Sequence, residues 1–182
     1  MEKDRSIKTE YEEIIKLIEK KNYIEAEKTL TNLLNEKKDF YIHQLLGIVY
    51  LNTGNYEKAI NHYNLSLNIN PKNPGVFFNL GIIYQNLKNL DKSKESYLKS
   101  VEIDPNFIDA YVNLAKVYES EIKMHEANKY YLKAMSLSKD YLPLIKSYSK
   151  FLIKIGEVSK GMSFQYKYFG NIRFGKTNLK IN

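Results

Sequence analysis

The chain has 182 residues, 43% of them hydrophobic and 27% charged, with a net charge of +7 and no cysteine. That length suits one compact domain or a short repeat array with a substantial core, and the apolar share excludes disorder along most of it. Absence of cysteine excludes disulfides, thiolate metal sites and a cysteine nucleophile, and eight Gly with four Pro are too few for the turns of an all-β fold. The N-terminus, Met1-Glu2-Lys3-Asp4-Arg5-Ser6, is charged from the start. No apolar run reaches signal-peptide or membrane-span length, so a soluble cytoplasmic protein without membrane contact is expected.

In chain order, a degenerate unit at about 6–39 carries Asn22-Tyr23-Ile24-Glu25-Ala26, which returns as Asn55-Tyr56-Glu57-Lys58-Ala59. Then His43-x2-Leu46-Gly47-x2-Tyr50 recurs as Phe77-x2-Leu80-Gly81-x2-Tyr84 and as Tyr111-x2-Leu114-Ala115-x2-Tyr118, at a period of 34 residues. The second halves keep that period: Ala59, Tyr63, Ser66; Ser93, Tyr97, Ser100; Ala127, Tyr131, Ala134. Pro71 and Pro105 close two of the units, and Lys139 stands where a third proline would fall. Within each unit the repeated residues share one face of a first helix and one face of a second. Small residues at 47, 81 and 115 allow the two helices to approach closely. A degenerate last unit at about 142–168 keeps phase through Tyr148, Leu152, Gly156 and Gly161. From 170 to 182 the period is lost, and Ile172/Phe174 and Leu179/Ile181 alternate with polar residues around Gly-Lys-Thr-Asn, as in a short hairpin.

This pattern resembles the tetratricopeptide repeat (TPR). The resemblance implies an all-α, right-handed superhelical solenoid of about five helix-turn-helix units (6–39, 40–73, 74–107, 108–141, 142–168) spanning 1–169, followed by an irregular or hairpin-like tail at 170–182. It also implies a concave face lined by the first helices. Carried over position by position, that face holds Gln44, Ile48, Phe78, Asn79, Ile82, Asn86, Asn113, Lys116, Lys146, Lys150 and Lys154. Asn79 and Asn113, one period apart, match a ladder that in some family members holds a peptide backbone, since a carboxamide both donates and accepts. The carboxylate clamp of chaperone-binding members is rejected, because Gln44, Ile48, Asp109 and Asn113 occupy its positions and only Asn79 fits.

All seven excess positive charges fall after residue 138, and Lys146, Lys150 and Lys154 make a stripe along one helix face. Such a stripe suits an acidic peptide segment. His43, His62 and His125 are far apart and match no ligand spacing, no phosphate loop is present, and neither metal nor cofactor is expected. The expected function is a non-catalytic protein–protein adaptor that takes a peptide segment or helix of another protein in its concave groove. The rival is a helical arm or trans-acting subunit of a transferase- or oxygenase-type enzyme, and nucleic-acid binding through the basic end ranks last. End-to-end homodimerisation through the last helix stays open.

Overall fold

The computed structural model describes residues 2–37 and 39–169, and among them every regular element is a helix. In order these are α1 (Glu2–Glu19), α2 (Tyr23–Glu36), α3 (Phe40–Asn52), α4 (Tyr56–Ile69), α5 (Pro74–Asn86), α6 (Leu90–Ile103), α7 (Ile108–Ser120), α8 (Met124–Leu137), α9 (Leu142–Lys154) and α10 (Val158–Phe169). The expected all-α architecture is therefore present, with consecutive helices packed as pairs from α1/α2 to α9/α10. The hairpin-like reading of 170–182 lies outside the described residues.

The described helices divide into two compact bodies, α1–α6 and α7–α10. In the first, Ile14, Leu30, Ile42, Leu46, Tyr63, Val76 and Ile83 form a core almost without solvent contact. In the second, Leu114, Ala127, Tyr131, Leu144, Ile145 and Phe151 are equally enclosed.

One ring wedges each central helix pair. Tyr63, Tyr97 and Tyr131, one period apart, are no more than 1% exposed. Two of these rings lie against the glycine of the first helix: a methyl added at Gly81 would sit 2.5 Å from Cε1 of Tyr97, and Gly47 meets Tyr63 in the same way. Full burial of such a ring contributes about 2–3 kcal/mol. A serine on the second helix then clasps the start of the first. Ser66 Oγ donates to the Phe40 carbonyl at 3.0 Å and Ser100 Oγ to the Pro74 carbonyl at 2.9 Å.

Four helix starts follow the capping rules, while α2, α7, α8 and α9 have no side-chain cap. The side chains of Asp39, Asn55, Asn73 and Asn89 accept from backbone N–H groups of the first turns of α3 to α6, and Pro74 follows its cap in the first turn. The turn inside each pair needs one left-handed residue. Gly54 and Gly156 supply it at φ 78° and 90°, but Lys21, Lys88 and Ile122 are held at 60°, 61° and 62°. A β-branched residue fits poorly there. Ile122 is 79% exposed, so its side chain packs against little. Ile122→Gly is expected to raise stability by about 1 kcal/mol, measured by urea denaturation.

Candidate functional site

The eleven residues read as a binding surface divide between the two bodies. On α3 and α5, Ile48, Phe78 and Ile82 are half-buried and leave an apolar strip partly open, while Asn86 is exposed. Phe78 rests against Tyr97, with ring centroids 5.8 Å apart. Gln44 accepts from the Asn73 amide at 2.8 Å, which ties it to the start of α5.

Asn79 has a neighbour the sequence reading did not assign. Tyr97 and Tyr131 each find a polar side chain on their own first helix: Tyr97 Oη donates to Gln85 at 3.1 Å and Tyr131 Oη to Glu119 at 3.3 Å. The equivalent residue for Tyr63 is Leu51, which offers nothing. The Tyr63 hydroxyl lacks a well-aligned partner among the described residues. Burial raises its pKa, and the Asn79 carboxamide of the next pair partly offsets that rise. Asn79 is thus a neighbour of the core. Asn113, the other rung, accepts from Lys116 Nζ at 3.3 Å.

In the second body, α7 and α9 bring Lys116, Lys146 and Lys150 around an open cleft of about 440 Å³, with Ser147 and Pro143 on its wall and Tyr131 and Glu119 beneath. Lys154 is diverted from this group. Its Nζ pairs with Glu119 at 2.9 Å, an ion pair that spans 35 residues of sequence. Asp109 is also engaged, accepting from the Tyr141 hydroxyl at 2.6 Å. Lys146 and Lys150 are exposed and form no ion pair among the described residues. Lys116 still reaches solvent, but partial burial of its amine lowers its pKa; Asp109 and Glu119 oppose that shift and Lys150 adds a smaller share to it. An acidic group entering the cleft would relieve the repulsion between these amines. Sequence periodicity could not have found Glu119 as the partner of Lys154, because nothing in the pattern marks a carboxylate one turn past the small residue.

His43 and His62, treated as separate in the sequence, meet with Nδ1 atoms 3.1 Å apart, and burial lowers the pKa of both. No group of three or more potential metal ligands occurs among the described residues. No helix among the described residues is long and apolar enough to cross a membrane.

Family models described as TPR repeat and Tetratricopeptide repeat match residues 47–88, 74–107 and 96–129. No curated protein matches the chain. Among solved structures, that of Pseudomonas aeruginosa PilF is similar with a TM-score of 0.81 at 18% identity, covering 95% of this chain and 80% of its own. MamA from Desulfovibrio magneticus RS-1 is similar with a TM-score of 0.73 at 17% identity, covering 88% and 92%. The TPR domain of Arabidopsis OM64 covers 62% of this chain and 93% of its own, at a TM-score of 0.58 and 18% identity. At these identities the likeness is one of fold.

Proposed function

We propose, from the premise that the chain belongs to the tetratricopeptide-repeat family, that it is a non-catalytic adaptor for a segment of another protein. The observation that carries this reading is the lysine-lined cleft between α7 and α9. Three amines converge on a space of about 440 Å³ with a serine hydroxyl on its wall, an arrangement complementary to an acidic segment and of no evident use to the fold. Like charges placed together in a folded surface disfavour it slightly unless a partner neutralises them. In the first body, the half-open strip of Ile48, Phe78 and Ile82 offers apolar contacts, with Gln44 and Asn86 as polar rim. Affinity for an isolated segment is expected near micromolar, about 8 kcal/mol.

The test is affinity capture by the intact chain from extract of its own cells, followed by titration of each captured protein. Replacing Lys116, Lys146 and Lys150 with Glu should weaken a specific partner at least about tenfold without lowering the melting temperature. Lys154→Glu, whose lysine already serves Glu119, should matter less. Capture of nuclease-sensitive material, with a steep fall of affinity in salt, would replace the adaptor reading with nucleic-acid binding.

A further inference from the structure

The helix pairs α3/α4, α5/α6 and α7/α8 repeat one aromatic arrangement, and one of the three lacks its middle ring. In α3/α4, His62 on the second helix inserts against two rings of the first. It meets His43 with centroids 5.3 Å apart and stacks on Tyr50 at 5.4 Å. In α7/α8, Tyr130 does the same, lying 6.5 Å from Tyr111 and 5.3 Å from Tyr118 with interplanar angles of 24° and 13°. The outer rings are closed off as a result, leaving His43 and Tyr111 only 9% and 7% exposed. In α5/α6 the flanking rings are present as Phe77 and Tyr84, but the residue one period from His62 and Tyr130 is Ser96. Its hydroxyl turns back to the Lys92 carbonyl at 2.7 Å. A cleft of about 200 Å³ lies over Phe77, Tyr84 and Ser96, with Leu67 at one side, and Phe77 is left half-open.

We propose that this slot binds an aromatic side chain, a tyrosine or phenylalanine, presented by an acidic segment of a partner protein. The two sister pairs show what shape fits between such walls: a planar ring stacked on its neighbours. Two amines set the flanking chemistry. Lys92 Nζ stands 5.4 Å from the Tyr84 ring centre and Lys99 Nζ 5.8 Å from that of Phe77. Lys99 is paired with Glu95 at 2.8 Å, whereas Lys92 has no ion pair among the described residues and is free to take a carboxylate beside the ring. Charge also argues against a second copy as occupant. The most exposed ring of the chain's own helices, Tyr166 at 69%, sits on α10 beside Lys167, which would set lysine against lysine. The slot is built from α4, α5 and α6 alone, so it stands whether or not the lysine cleft of the second body binds anything.

The probes are two blocked pentapeptides, Glu-Glu-Tyr-Glu-Glu and Glu-Glu-Ala-Glu-Glu, titrated into the intact labelled chain and followed by NMR. The tyrosine peptide should bind about tenfold tighter than the alanine one and shift resonances of Phe77, Tyr84, Lys92 and Ser96. Ser96→Tyr supplies the missing ring within the chain. It should melt at a higher temperature than the natural sequence and lose the preference for the tyrosine peptide. Lys92→Glu, on an exposed side chain, should weaken the tyrosine peptide about tenfold with the fold unchanged, and this holds as the test even if Ser96→Tyr does not fold. Equal affinity for the two peptides overturns the proposal, as does a preference that survives Ser96→Tyr or a tyrosine-peptide affinity that Lys92→Glu leaves unchanged. So do shifts confined to Lys116, Lys146 and Lys150, which would report the other cleft, or self-association of the chain through the slot.

Discussion

Truncating Tyr97 to alanine is expected to destabilise the α5/α6 pair by about 3–5 kcal/mol, the range for removing a fully buried aromatic side chain. The ring has no solvent contact and lies against Gly81, where even one added methyl would sit 2.5 Å from it. Truncation therefore leaves a cavity that a glycine has no side chain to fill. It also strips Gln85 of the hydroxyl it accepts at 3.1 Å. Stability in a repeat array is a sum of local and nearest-neighbour contributions. The loss should therefore show as early hydrogen exchange in α5 and α6 ahead of the rest, and as a broadened urea transition. Tyr97→Phe keeps the ring and removes only the hydrogen bond, so about 1 kcal/mol is expected. Equal costs for the two variants would mean that the hydroxyl, not the wedge, holds the pair together.

A second large effect is expected in alkali, where the helices should melt between pH 10 and 12. Burial and the bond to Glu27 at 2.6 Å push the Tyr50 hydroxyl up to about 12, and the bond to Asp109 followed by burial does the same for Tyr141. Tyr11, Tyr63 and Tyr131 are raised as well, each mainly by burial. A tyrosine in the unfolded chain releases its proton near pH 10, while these hold theirs in the fold. Their stabilisation is complete below pH 10 and is lost as pH climbs toward the folded value, at about 1.4 kcal/mol per pH unit for each enclosed group. Helical circular dichroism should collapse steeply in this window, with tyrosinate absorbance rising in step. Tyrosinate absorbance that completes its rise near pH 10 while helicity persists would show these five hydroxyls to be open to solvent.

The fold was legible because packing imposed a period on residue types. Gly47 and Gly81 face Tyr63 and Tyr97, and each side of that contact restricts the other, so the spacing of 34 survives in the letters. The surface was less legible because its contacts follow no period. Lys154 belongs by spacing to a stripe with Lys146 and Lys150, yet Glu119 across the helix pair takes it. Asn79 reads as a free rung, but Leu51 fails to serve Tyr63 and leaves Asn79 beside an underserved hydroxyl. The Ser96 slot was present in the sequence as a small residue aligned with His62 and Tyr130. It passed unseen because a serine in a helix draws notice only when its sister positions are known to hold stacked rings.

The serine clasps have an evolutionary consequence. Ser66 to Phe40 and Ser100 to Pro74 each join residues 26 apart, inside a single 34-residue stretch. A gene segment duplicated in whole repeats would carry the complete clasp, the ring and its glycine together, and every copy would be born with its own closure. Length in such a protein grows by insertion of finished modules, without a new solution for distant parts of the chain. Mutational drift in one copy, as at Ala134 where the hydroxyl is gone, then proceeds without disturbing the clasp of the next.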